Sequence, residues 1–527
     1  VEPVQTFELV LILLAAVVAL SWAAARLHMP HSAALLVGGG ALAFVPGLPP
    51  VSLDPELALV LFLPPLLLDG AYYTALGRFR RHLPGILSLA VGAVVFTTLV
   101  VGWVTHWLVP SLPWAACFAL GAIVSPPDAV AARAVLQHVQ LPRRLRALLE
   151  GESLLNDATG LVLFRFAVAA TLSGTFDAGA AAGSFFVLLL GGAVVGLAVG
   201  TTWMAAIARM RDQTLVVATS TLLCWSAYLA GEAIHVSGVI ATVAAGLVFG
   251  WRQHVIMPAR VRMQGNAFWR TLVFGLEALV FILIGFSLRG ALDRAGGAGE
   301  VLARMTGPVL GIVAAVVVAR FVWVFGSDAL LVAVRRLGVK RARPLGWRQA
   351  SVLGWAGMRG VVTLAVALTL PAAMPGRDLM LVTAFAVILA TVIVQGGSLG
   401  WFIRASRPVD TDPPAPMDLP ASEAAVARAK LAAAERLAYA PDGTLVHPQL
   451  LKFYQDRAQA TERYAANADV FMENIRPHFD AMLEAIAAGR AELIRLHRAG
   501  QIEDEVLHDL EQDLDLEEMG IIFQRGE

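Results

Sequence analysis

Charge and cysteine are what this 527-residue chain has least of. Only 15% of its residues are charged, and its two cysteines, Cys117 and Cys224, both lie inside apolar blocks. Two such thiols exclude a disulfide framework and a thiolate metal centre, and ordinary packing is their expected role. The first apolar block, Phe7 to Ala25, has no basic leader and is followed almost at once by another, so it is expected to stay rather than be removed as a signal peptide. There is no repeated selectivity-filter sequence, which argues against a channel. There is no His-Glu-x-x-His run, and neither Asp128 nor Asp157 has the Gly-rich or Tyr-preceded setting of an intramembrane acid protease.

What the chain does have is apolar surface: 57% hydrophobic residues and a mean hydropathy of +0.69, more than one soluble core of this length can use. The apolar residues come in blocks of roughly 17 to 25, the length that crosses a hydrocarbon core as a helix. Thirteen spans are expected, near 7–25, 33–48, 55–73, 84–109, 113–135, 147–173, 182–208, 214–232, 235–251, 271–292, 307–334, 349–371 and 380–403. Connector charge alternates. Arg26, Arg78/Arg80/Arg81, Arg143/Arg144/Arg146, Arg209/Arg211, Arg252 to Arg270 and Arg335 to Arg348 fall on one side; the other has little beyond Arg289, Arg294, Arg304 and Arg377. The positive-inside rule puts the Arg-rich side in the cytoplasm, the N-terminus outside and the C-terminus inside, as for a cell (inner) membrane protein. Residues 1–403 hold 27 Lys/Arg against 17 Asp/Glu, and residues 404–527 hold 13 against 23. A Pro-rich linker, 404–420, thus joins a basic membrane domain to an acidic region, 421–527. In that region soluble amphipathic helices are expected near 421–438, 448–487 and 489–499, before an acidic stretch from Glu503 to Glu518. It reads equally as a regulatory or dimer-contacting module and as a passive solvated appendage.

Two spans are poorly made as helices. The fifth carries Ser125-Pro126-Pro127-Asp128 at mid-depth, where each proline removes a backbone donor and disfavours helix before it. The twelfth carries Gly354, Gly357 and Gly360 around Met358-Arg359. They lie seven spans apart and so run in opposite directions, as an inverted repeat of spans one to six on eight to thirteen requires. Irregular backbone is tolerated at this depth only where protein or a water-filled cavity surrounds it, so the binding site is expected where the breaks meet.

Ionisable residues at mid-depth are candidate functional groups. Asp157, in Gly151-Glu152-Ser153-Leu154-Leu155-Asn156-Asp157, has no basic neighbour in sequence. A carboxylate held from water takes up either a proton or a cation, because both satisfy the same charge. Competition for one carboxylate makes an exchanger if the protein switches sides only when loaded. Asp128 is expected either to ligate the cation or to neutralise a half-helix end. Hard oxygen donors stand nearby: the carbonyls freed by Pro126 and Pro127, the Ser153 hydroxyl and the Asn156 amide. Glu152 is expected to pair with Arg359 across the repeat interface, with Arg320 as the alternative partner. Asp69, after Pro64-Pro65, reads as a gate or approach residue or as a snorkelling acid. Glu277, Glu232 and Arg165 are assigned to interface or helix-packing roles.

At these residues the chain resembles the monovalent cation/proton antiporters of the NhaP and sodium/proton exchanger type. The likeness rests on Phe62-Leu63-Pro64-Pro65 through Asp69-Gly70, Gly121 to Asp128, Glu150-Gly151-Glu152-Ser153 through Asn156-Asp157, Ser237-Gly238-Val239 through Ala245-Gly246-Leu247, and Gly357-Met358-Arg359-Gly360, spread over residues 7–403. It implies an all-α membrane protein with crossed discontinuous helices, a homodimer set among membrane lipids, and a core bundle that moves as an elevator. It implies no cofactor, no nucleic acid and exchange of Na+ (or Li+, K+) for H+, in the service of pH and sodium homeostasis. Asp157 would be the ion- and proton-binding carboxylate, completed by Asp128, Ser153 and the carbonyl of Pro127, with the Glu152–Arg359 pair as a brace. The Asn156-Asp157 form, rather than two aspartates, goes with electroneutral one-for-one exchange. One departure stands out: many relatives have Thr-Asp-Pro at the first break, where this chain has Pro127-Asp128-Ala129, so no threonine hydroxyl is present. The nearest rival is a potassium/proton antiporter using the same residues; a cation channel is the rival from another class.

Overall fold

The computed structural model describes the whole chain except residues 1–2, 28, 47–54, 129–140, 176, 295, 340–342, 414–415 and 526–527. It divides into two compact units, Val1–Asp412 and Pro413–Glu527. The stretch 404–412, expected as free linker, therefore belongs with the membrane unit.

The described part of the first unit is built of helices and short connections: α1 (Pro3–Leu27), α2 (His31–Leu42), α3 (Pro55–Tyr72), α4 (Leu76–Leu87) joined through a π turn at Ser88–Ala93 to α5 (Val94–Leu108), and α6 (Trp114–Val124). There follow α7 (Arg143–Ser173), α8 (Ala178–Ile207), α9 (Gln213–Ala233), α10 (Gly238–Ile256), α11 (Ala259–Phe286), α12 (Leu288–Arg294) and α13 (Thr306–Arg336). Last come α14 (Trp347–Trp355), α15 (Val361–Leu368), α16 (Arg377–Ala390) with a π turn at Thr391–Gly396, and α17 (Gly397–Ser406). Eight of the described helices are long and apolar enough to cross a membrane; shorter apolar ones lie at Leu11–Leu27, His31–Leu42, Leu57–Tyr72 and Trp114–Val124. A helix suits such sequence because it satisfies every backbone donor and acceptor internally. Local chemistry sets the ends: the Asp212 and Ser237 side chains cap α9 and α10, and Gly174 closes α7 in the left-handed conformation.

Small residues let helices approach backbone to backbone. A Cβ at Gly39 would strike the Ile282 carbonyl and one at Gly285 the Leu36 carbonyl, which locks α2 against α11. Gly246 and Gly250 do the same for α10 against α3. The expected break in the twelfth span is present between α14 and α15. In the fifth span α6 ends at Val124; the rest of that span, 129–135, lies outside the described residues.

The second unit holds α18 (Leu419–Ala438), α19 (Pro448–Ala466), α20 (Ala468–Arg498) and α21 (Asp504–Arg525). Two expectations need correction. The long helical stretch divides at Asn467, not after 487, and the acidic stretch is itself a helix. Its charge is offset by Arg490, which pairs with Asp515 and Glu518, and Ile521 packs on Phe479 and Ile486.

Candidate functional site

The two breaks touch. The Asp128 amide donates to the Met358 carbonyl at 2.6 Å, joining the end of the first to the middle of the second. Gly360 makes this approach possible, since a Cβ there would occupy the same space as the Asp128 carboxylate.

Each break also supplies the charge that the other's half-helix needs. Asp128 Oδ2 accepts from the Val361 amide at 3.3 Å, at the N-terminus of α15. Arg359 points the opposite way, donating to the Val124 carbonyl at 2.9 Å, the Ser125 carbonyl at 3.1 Å and the Gly357 carbonyl. A carboxylate thus meets a positive helix end and a guanidinium meets the unpaired carbonyls of a negative one. Thr391, at the start of the π turn, accepts from the Arg359 amide at 3.0 Å, and Thr98 donates to Ser125 Oγ at 3.1 Å. Neither threonine was singled out from sequence, since nothing local distinguishes a threonine that holds a distant break from one that packs.

The expected Glu152–Arg359 pair is not what forms. Glu152 takes the alternative partner: Arg320 donates to its two carboxylate oxygens at 2.6 and 2.9 Å, with both side chains buried. The cause is the demand just described, because the α6 carbonyls and the Gly357 carbonyl engage the Arg359 guanidinium. Arg320 also donates to the Leu353 carbonyl at 3.1 Å, tying α13 to α14.

Asp157, Asp128 and Ser153 line one cavity of about 40 Å³, together with Glu150, Leu63, Leu66, Leu67, Gly70, Leu154, Val361 and Val362. A space of that size holds a cation shorn of most of its water. Asn156 is fully buried beside it; its Nδ2 donates to the Pro127 carbonyl, while its Oδ1 is buried with no hydrogen-bond partner among the described residues. The Pro127 carbonyl is therefore already one bond short of free, and Asn156 holds the break in place. Glu150 was quoted in the motif but not picked as a site residue. The signal was available, because 150, 153, 154 and 157 share one face of a helix. Asp69 is buried yet is not among the lining residues, which use the face of α3 carrying 63, 66, 67 and 70. Arg165 pairs with Glu232 at 3.2 Å, a partly exposed ion pair whose residues are not among those lining the cavity.

The cavity reaches toward the Arg-rich helix ends, where Gly70 and Glu150 lie. Across Val361 is a second cavity of about 490 Å³, lined at the opposite helix ends by Ala43, Phe62, Leu283, Arg289, Arg294 and Leu368 among others. Val361 borders both spaces.

A family profile described as sodium/hydrogen exchanger, transmembrane, matches residues 12–405. The chain is 33% identical to an uncharacterized Na(+)/H(+) exchanger, Rv2287, of Mycobacterium tuberculosis, over 98% of this chain and 96% of that one. A sodium, potassium, lithium and rubidium/H(+) antiporter of Bacillus subtilis is 33% identical over 65% of this chain and 53% of its own. The fold is similar to the sodium proton antiporter MjNhaP1 of Methanocaldococcus jannaschii at pH 8, with a TM-score of 0.59 and 20% identity, covering 76% of this chain and 98% of that one.

Proposed function

Since this chain belongs to the sodium/hydrogen exchanger family and is a multi-pass membrane transporter rather than an enzyme, we propose that it exchanges sodium, and lithium, for protons one for one at Asp157. The observation that carries this reading is the small cavity in which Asp157 and Asp128 stand together at the junction of two broken helices. Of the three carboxylates that line the cavity, Glu150 is exposed, and the other two do not weigh equally. Asp128 already faces the N-terminus of α15, whose partial positive charge offsets its own. Arg320 matches Glu152, and Arg359 lies on carbonyls. Asp157 remains the carboxylate whose charge a transported ion balances. One sodium or one proton does so equally, hence no net charge moves per cycle.

Thirteen passes, an inverted repeat and an elevator motion of the core complete the proposal. Packing supports the repeat: α2 lies on α11 and α3 on α10, and a two-fold exchange of the halves converts one contact into the other. In this reading the Arg-rich ends and the C-terminal region are cytoplasmic. The protein works as a homodimer in the cell membrane for pH and sodium homeostasis, with the C-terminal region available for regulatory contact. A broader selectivity that includes potassium and rubidium is the second reading. It is favoured by the activity named for the B. subtilis relative and by the missing hydroxyl at position 127.

The test uses purified protein in liposomes with an imposed proton gradient and sodium, lithium, potassium and rubidium added in turn. Sodium and lithium should dissipate the gradient, a membrane potential should leave the rate unchanged, and Asp157→Asn should abolish exchange. Near-normal exchange in Asp157→Asn overturns the assignment. Equal rates with potassium and rubidium select the second reading.

A further inference from the structure

The last residues of the membrane unit form a strap across its Arg-rich face. His82 Nε2, near the start of the α4–α5 span, lies 3.0 Å from Asp412 Oδ2, and both side chains are nine-tenths buried. Arg143, the first residue of α7, donates from Nε to Asp410 Oδ2 at 2.7 Å and from its other guanidinium nitrogen to the Asp412 carbonyl at 3.3 Å. Gln349, buried in the first turn of α14, donates to the Val409 carbonyl at 2.5 Å and to Thr411 Oγ1 at 3.4 Å. The strap is shaped for this, since the Asp412 amide folds back onto Asp410 Oδ1 at 3.0 Å.

A flexible linker makes no such contacts: four consecutive residues engage three helices by a buried imidazole–carboxylate contact, a charge-assisted bond and a buried amide. Charge-assisted bonds of this length are the strong ones, and burial holds the His82 imidazole in its neutral form beside Asp412, where opening the contact would leave a buried carboxylate without its neighbour. The Asp410 carboxyl reflects the fit. Burial raises its pKa, but the hydrogen bonds from Arg143 and from the amides of Asp412 and Arg143 outweigh this and hold it below the usual carboxylate value. The Arg143–Asp410 bond is therefore fully present at neutral pH and weakens only as pH falls through that lowered value.

We propose that residues 409–412 are a fixed clasp of the ion-carrying bundle, positioning the two halves of the core relative to one another throughout the transport cycle. The inference rests on the elevator reading above. The α4–α5 span and α7 belong to the first half, α14 and the strap to the second, and the two broken helices that build the ion site sit between them. Holding the cytoplasmic ends of both halves keeps the breaks in register while the bundle moves. The chain beyond Asp412 accordingly leaves from the moving bundle.

The experiment uses full-length protein with Cys117→Ala and Cys224→Ala, carrying the pair His82→Cys and Asp412→Cys, in liposomes. Before bridging, the pair variant should exchange roughly fivefold more slowly than its parent at saturating sodium, with KM for sodium unchanged. A short bifunctional thiol reagent that bridges the two cysteines should restore the rate to within about twofold of the parent. Arrest of exchange on bridging would mean that the strap must open during the cycle and would overturn the clasp. An unbridged variant as fast as the parent would overturn it too. If the parent exchanges no cation for protons, the proposed function fails instead. The clasp is then still read by the extent of bridging in intact-mass spectra, which should be the same with and without sodium and pH gradients; gradient-dependent bridging would contradict it.

Discussion

Asp157 and Glu152 lie five residues apart on α7, and their surroundings give them opposite work. Glu152 is buried with Arg320 bidentate on it, a closed contact with no vacancy for an ion. Asp157 lines a cavity whose walls are mostly leucine and valine. Removing one member of a buried pair leaves the other charge uncompensated, so Glu152→Gln should lower stability by about 3–5 kcal/mol, read as thermal unfolding in detergent. Glu152→Gln combined with Arg320→Met should recover much of the loss. Wild-type stability in the single variant would show that the pair braces nothing. The importance of both acids could be seen in the sequence, because charges at that depth need a reason. The choice of Arg320 over Arg359 could not: it depends on which guanidinium the α6 carbonyls claim, and those carbonyls become unpaired only once the first break has its folded shape.

At the scale of the element, prolines and glycines interrupt two helices, and the side chains of each interruption repair the other. The position of the breaks was legible from Pro126-Pro127 and from Gly357 and Gly360, since those residue types act through local backbone rules. Their exchange of charges was not, because Asp128 and Arg359 are 231 residues apart in the chain. The π turns at Ser88–Ala93 and Thr391–Gly396 left no local signature either. Gly360→Ala gives a direct test. The added methyl would collide with the Asp128 carboxylate, so the variant should lose sodium/proton exchange, whereas Gly275→Ala, with open space around it, should keep wild-type rates. Equal activity of the two alanine variants would mean that the breaks need not touch. Val361 belongs to the same account, as the side chain between the small cavity and the larger one on the opposite side.

On the scale of the whole molecule, the division between a basic membrane unit and an acidic helical unit followed from charge counts alone, but its boundary at Asp412 did not. The strap residues look like linker because prolines follow them; their partners His82, Arg143 and Gln349 come from three distant helices. Transport by such a molecule depends on one site being offered to two ions by turns. That dependence is tested most directly by measuring the apparent KM for sodium in proteoliposomes as pH is lowered stepwise. Competition for Asp157 predicts that KM rises about tenfold per pH unit once protons occupy the site, while the maximal rate at saturating sodium holds until proton release on the far side becomes limiting. A sodium KM that stays constant across that range, or sodium flux that continues without opposing proton movement, would contradict it.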